Sequence, residues 1–415
     1  MGIFLQQYDA LDVAGKAALT RQWLGAKTLE LFAELRAERP ILASPIGVIV
    51  TKADEVRSVL DRGSEFTVAL YAQKMERITG PFMLGMSDTA RYRQEVSGMR
   101  LAFPDPGQTN LAGCIAEWVN EAVCAAKPSG RIEIVSQVTR LIPVRLVQEY
   151  LGLAVPDPYA IQRWARLIFH DIFLNLANDD EIRKRADDAA SEMNAVLDRL
   201  ISESARNPAG TRDTVLGRLL RMRAVPETAL DLLSIRHNFV GMIVGAIDTT
   251  SKAATYAIDW LLDHDAARIR TIEAALASDP AAFADCVQEA MRFKPQSTAL
   301  IRLCAVESIL GVGKPHETRI APGTLVFAAI GSAMFDPENL VAPDEFRVGR
   351  SPSAYLHFGQ GQHPCFGRYL NPMQIGEMVR QILLLPNVRR AVGNDGIIQH
   401  DGPFPDRLVL EFDTK

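Results

Sequence analysis

The sequence predicts a mainly α fold with small β-sheets, on three observations. Residues 229–262 carry a helical pattern without proline, about 50 Å of helix at 1.5 Å per residue. Apolar faces recur at helical spacing over 111–126 and 160–177. Extended runs, by contrast, are short: 41–43, 48–50, 324–330 and 408–412.

Length and charge narrow the function classes. A chain of 415 residues admits two or three domains, but the motifs are spread along all of it and favour one domain over 1–415, with 1–29 as an N-terminal helical extension. A net charge of −5 gives no basic stripe for nucleic acid. The five cysteines (Cys114, Cys124, Cys286, Cys304 and Cys365) form no CxxC pair, which fits a reducing compartment. No basic region followed by an apolar run opens the chain, and no stretch approaches eighteen apolar residues. A soluble, cytoplasmic protein is expected, with no membrane or nucleic-acid partner.

Taken in order, residues 1–40 are helical and end at Pro40. The extended runs 41–43 and 48–50 follow, and Thr51 with Asp54 marks a helix N-terminus. Residues 63–86 read as irregular but apolar, either a core plug or a pocket lining. A helical run over 88–103 carries Arg91, Arg93 and Arg100. Turns are expected at 104–107 and 127–130, and helices over 111–126, 144–151 and 160–177. Residues 203–212 are the most linker-like stretch. A helix over 281–294 stops at Pro295, and Glu289 and Arg292 lie on one face of it.

Two places interrupt this apolar architecture. Inside the long helix, Asp248, Thr249, Thr250 and Ser251 break a stretch that is apolar almost all round. Buried polar groups there need partners, and threonines that bond back to the preceding turn bend a helix. Near the C-terminal end, Phe358-Gly359-Gln360-Gly361-Gln362-His363-Pro364-Cys365-Phe366-Gly367-Arg368 sets one cysteine behind a glycine loop and ahead of an apolar segment that reads as helix. Glycines 359 and 361 let the backbone fold tightly and approach a flat ligand, and a helix N-terminus favours a thiolate. The alternatives are a buried structural cysteine, or a zinc pair of His363 with Cys365, whose spacing is poor for tetrahedral coordination.

The spacing Phe-Gly-x-Gly-x-His-x-Cys-x-Gly resembles the haem-binding loop of the cytochrome P-450 family. The resemblance implies that family's fold over nearly the whole chain, a long central helix across a haem with the thiolate loop on the opposite face. It implies haem b (iron protoporphyrin IX) bound through Cys365, with Phe358, Gly359, Gly361, Phe366, Gly367 and Ala246 around it. His363, Arg302 and Arg93 would meet its propionates, although Thr89 stands where the family usually has histidine. The small-Gly-x-acid-Thr motif falls on Gly245 to Thr249, with Ala246 replacing the second glycine. Asp248 and Thr249 would then deliver the two protons that dioxygen reduction needs. Glu289 and Arg292 would brace the haem loop, with Glu345, Arg347 or Arg350 as third member.

The implied activity is a monooxygenase that inserts one oxygen atom from O2 into a hydrophobic small molecule. No flavin, nicotinamide or iron–sulfur motif is present, so electrons would come from a ferredoxin and its reductase, and the protein would be a monomer. Expected pocket residues are Leu70, Tyr71, Phe82, Phe173, Val240, Ile243, Val244, Ser297, Thr298 and Phe404, mostly apolar. A peroxide-driven peroxygenase and a non-catalytic haem sensor or carrier are the rival readings.

Overall fold

The computed structural model describes residues 2–103, 110–277 and 279–414; the turn expected at 104–107 lies outside them. The chain forms two compact units, one of residues 1–70 with 288–366, the other of 71–287 with 367–415.

The first unit is built on a five-stranded sheet in the order Ile41–Ser44, Gly47–Val50, Leu325–Ala328, Leu300–Cys304, Phe66–Thr67. Neighbours pair antiparallel except Gly47–Val50 with Leu325–Ala328, which run parallel. Successive side chains of a strand face opposite ways, and both faces of this sheet are buried. Val48, Val50, Val326 and Ala328 meet the helix Ala53–Asp61 on one side. Ile49, Leu42 and Phe327 meet Phe4, Leu5, Leu31, Phe32 and Leu35 on the other. The helices Ile3–Asp9 and Val13–Ala26 of segment 1–29 therefore help to cover a sheet face. Thr51 does not cap the next helix: its hydroxyl donates to the Pro40 carbonyl (2.8 Å), and the helix starts at Ala53 behind Lys52.

The second unit is helical. Its axis is one unbroken helix, Leu232–Leu262, capped by Asp231, whose carboxylate accepts the Ser234 N–H (2.6 Å). Against it lie Pro158–Phe169, Asp180–Ala205 and Asn371–Leu383. A three-stranded sheet centred on Val409–Glu411 and a hairpin of Gln399–Asp401 with Phe404–Arg407 complete the unit. Segment 63–86, expected irregular, includes the strand Phe66–Thr67, the helix Ala69–Ile78 and the turn Met83–Gly85. Met75 and Ile78, on one helical stripe, are its buried residues, and tertiary burial overrides the weak local pattern. The linker-like stretch 203–212 is mostly structured, as the end of Asp180–Ala205 and the turn Pro208–Gly210. Among the described residues no helix is long and apolar enough to cross a membrane.

Candidate active site

In the first unit the cysteine loop is tied down along its length. Gly359 and Gly361 take left-handed backbone angles, φ +66° and +78°, which side chains adopt only at a cost. A Cβ on Gly361 would also collide with the Leu60 carbonyl oxygen. Between them Gln360 accepts a hydrogen bond from Arg57 (2.7 Å) and donates to Asp61 (2.7 Å), so both ends of its amide are held by the helix Ala53–Asp61. The loop closes where the Cys365 N–H donates to the Phe358 carbonyl (2.7 Å). A short 3-10 turn, Phe366–Tyr369, follows the cysteine, and the expected helix begins only at Asn371. Replacing Gly361 by alanine should lower the stability of the folded protein by about 1–3 kcal/mol, the usual cost of a strained backbone position, read as a drop in the urea midpoint.

The same unit holds a buried charge cluster. Glu289 and Arg292, on the helix Pro280–Phe293, have no exposed side-chain surface and form a bidentate pair with both bonds at 2.9 Å. Arg292 also donates to the carbonyls of Met334 (3.2 Å), Pro343 (2.6 Å) and Glu345 (3.0 Å). Glu289 also accepts the Arg347 backbone N–H (3.0 Å) and the Tyr355 hydroxyl (3.0 Å), and pairs with Arg350 at 3.2 Å. Burial opposes its charge, yet Arg292, the Arg347 N–H and Arg350 outweigh it and hold its carboxyl below the usual range. The third charged member is thus the Arg350 side chain, 4% exposed. Glu345 contributes its backbone carbonyl, which accepts from Arg292 and from Arg350, both at 3.0 Å.

Arg302 lies on the inner strand Leu300–Cys304, buried, with one guanidinium N–H on the Ile301 carbonyl (3.0 Å). His363 is half-buried within the loop. Leu70, Ser297 and Thr298 also belong to this unit, all half-buried. Arg93 lies in the second unit. Its side chain is 68% exposed and paired with Asp88 at 2.9 Å, because Thr89 caps the helix Ala90–Ala102 and Arg93 falls on its solvated side.

Along the long helix, residues 239–251 are buried except on one stripe. Gly245 is exposed, while Ala246 and Thr249 are partly accessible. A Cβ on Gly245 would meet nothing within 4 Å. The Thr249 hydroxyl bonds back to the Gly245 carbonyl. Asp248 faces the other way. Its carboxylate is buried and clamped by Arg166 through Nε (3.2 Å) and Nη2 (2.8 Å), with Arg140 Nε at 3.5 Å. Burial opposes the Arg166 charge, but Asp248, Asp401 and Asp406 together hold its guanidinium above the usual arginine value.

The expected pocket residues of this unit fall into two sets. Val240, Ile243, Val244, Phe82 and Phe404 are buried, and Phe82 fills the space over Gly241. Tyr71, Phe173, Phe169 and Phe404 form a continuous aromatic run with centroids 5.1, 4.6 and 5.1 Å apart. Sequence reasoning had not singled out Phe169, Arg166, Arg140 or Tyr355. An arginine set among Trp164, Leu167 and Ile168 on an apolar helix was the available signal for Arg166.

The donor set suits an iron already held by a macrocycle. Among the described residues no three His, Cys, Asp or Glu side chains gather as a metal site. The zinc pair therefore lacks further ligands there, and Cys365 is a single sulfur donor on a glycine loop.

No protein-family model matches the chain. It is 24% identical to the cyclomarin C epoxidase of Salinispora arenicola, over 63% of this chain and 62% of that protein. Its identity to the steroid C26-monooxygenase of Mycolicibacterium smegmatis is 21%, over 91% of this chain and 88% of that one. With the mycinamicin IV hydroxylase/epoxidase of Micromonospora griseorubida it shares 24%, over 87% and 89%. Among solved structures, a cytochrome P450 of Bacillus megaterium in complex with testosterone superposes with a TM-score of 0.77 at 18% identity, covering 93% of this chain and 99% of that one. Another from Chondromyces apiculatus gives 0.77 at 20%, covering 94% and 96%.

Proposed function

We propose that the chain is a cytochrome P-450, a haem-thiolate monooxygenase inserting one oxygen atom from O2 into a hydrophobic small molecule. The observation that carries the reading is Cys365, a single sulfur donor at the end of a loop whose glycines are fixed by backbone angle and by the helix beneath. Cys365 would ligate the iron of haem b, with Arg302 and His363 as the propionate partners and Glu289 and Arg292 bracing the loop. Bound there, haem supplies the redox chemistry, and thiolate donation favours O–O cleavage. Glycines at 359 and 361 would let the loop backbone pass close to the macrocycle.

The remaining steps belong to the helix Leu232–Leu262. A hydroxyl has one proton to donate and two lone pairs to accept with. Thr249 gives its proton to the Gly245 carbonyl, so its oxygen stays available to accept from a water or a protonated reacting group. Asp248 has both oxygens on Arg166, so it moves a proton only when that clamp loosens. Ala246 narrows the accessible stripe by one methyl. The aromatic run from Tyr71 to Phe404 and the apolar Phe82, Val240, Ile243 and Val244 support a hydrophobic substrate, as do relatives named as an epoxidase and a steroid monooxygenase. Electrons would come from a ferredoxin and its reductase, to a monomeric protein in the cytoplasm.

The test is Thr249→Ala. O2 uptake should persist while product per O2 falls about a hundredfold, the lower end of the range for loss of a positioned proton-transfer group, with the difference released as peroxide. Full turnover on peroxide alone, unaffected by the substitution, would establish the peroxygenase in its place.

A further inference from the structure

Asp248, Arg166, Asp406 and Arg140 form a closed ring of alternating charge. Arg166 gives Nε and Nη2 to Asp248, and its Nη1 reaches Asp401 (2.8 Å) and Asp406 (3.2 Å) on the hairpin. Arg140 stands 3.5 Å from Asp248 through Nε and donates Nη2 to Asp406 (3.2 Å) and to the Pro405 carbonyl (2.8 Å). Two guanidinium groups thus serve three carboxylates. Only Asp248 is buried; the side chains of Asp401 and Asp406 are 63% and 50% exposed.

Each arginine therefore divides its donors between the helix acid and the hairpin acids. The hairpin is held by more than these ions. Phe404 packs on Phe169 and lies beneath the charged ends of Arg166 and Lys252, at 5.7 and 5.9 Å, and Tyr256 meets His400 at 3.2 Å. The acids are thus presented to the arginines by a fixed scaffold, and loss of a single charge need not release the hairpin.

We propose that Asp406, assisted by Asp401, is a positioning residue for proton delivery: it competes with Asp248 for Arg166 and Arg140 and so sets how tightly Asp248 is held. Its catalytic consequence rests on the monooxygenase reading; the competition itself does not. With the Asp406 charge gone, Arg166 keeps Asp401 and Arg140 keeps the Pro405 carbonyl, but the share of both guanidinium groups that Asp406 held passes to Asp248. The clamp tightens, and Asp248 is slower to release and move a proton.

The experiment compares wild-type, D406N and D406E holoenzymes, with D248N and the D248N/D406N pair. Competition predicts that the loss of urea midpoint caused by D248N is about twice as large in the D406N background, a non-additivity expected of residues in one network. For catalysis, D406N should yield about threefold less product per O2 with a larger solvent deuterium isotope effect, as expected when proton transfer is slowed. D406E should restore both. Should D406N fail to fold, D401N carries the same comparisons with the same sign and a smaller size. Additive midpoints overturn the competition. Non-additive midpoints with coupling and isotope effect unchanged in D406N overturn the positioning role. If wild-type protein makes no product from O2, the monooxygenase reading falls, while the midpoint comparison still decides whether Asp406 competes.

Discussion

Cys365→Ala yields a folded protein that forms no product and whose reduced, CO-bound spectrum lacks the red-shifted band of thiolate ligation. The side chain is small and half-buried, so its removal should cost no more than about 1 kcal/mol of stability, in line with substitutions away from a tightly packed core. The loop around it has its own supports, in the Phe358–Cys365 backbone bond and the grip of Gln360 on Arg57 and Asp61. On the haem-thiolate reading its electronic role would have no substitute, because a thiolate ligand is what favours O–O cleavage. Two measurements check this together: the absorption spectrum under CO and a urea titration of the same sample. An unchanged spectrum would remove the cysteine from the site.

Arg292→Ala should be the most damaging substitution to the fold itself. It strands Glu289 as a buried carboxylate with its two shortest charged bonds gone and leaves the Met334, Pro343 and Glu345 carbonyls short of donors. Breaking a buried pair by removing one partner costs about 3–5 kcal/mol, a large share of the 5–15 kcal/mol typical of a native domain. Most of the chain should be insoluble or proteolysed on expression, and any soluble fraction should hold little haem. Arg292→Lys keeps the charge but loses the planar fork that serves Glu289 and three carbonyls at once, so it should recover only part of the loss. The readout is soluble yield and haem per chain, side by side for the two variants.

What the sequence discloses here is what is local in the chain. The cysteine loop, the Asp248-Thr249 pair and Glu289 with Arg292 each lie within a dozen residues, so their spacing is visible in the chain itself. The long helix was legible for the same reason; only its start differs, at Leu232 behind the Asp231 cap instead of near 229. Partners distant in sequence were not legible. Arg166 lies 82 residues from Asp248 and 240 from Asp406, and no local pattern announces which acid it meets. Arg350 and Tyr355 reach Glu289 only after the chain has folded back on itself.

The parallel pairing of Gly47–Val50 with Leu325–Ala328 has a consequence for biosynthesis. Those strands are separated by more than half the polypeptide, so the first seventy residues leave the ribosome without the neighbour that completes their sheet. At 5–20 residues per second the wait is on the order of ten to sixty seconds. Throughout it a strand carrying Val48, Ile49 and Val50 keeps an open hydrogen-bonding edge, the kind of surface that recruits other chains. Nascent fragments that end before residue 325 should therefore be the species prone to aggregate, and a co-expressed holdase chaperone should raise soluble yield.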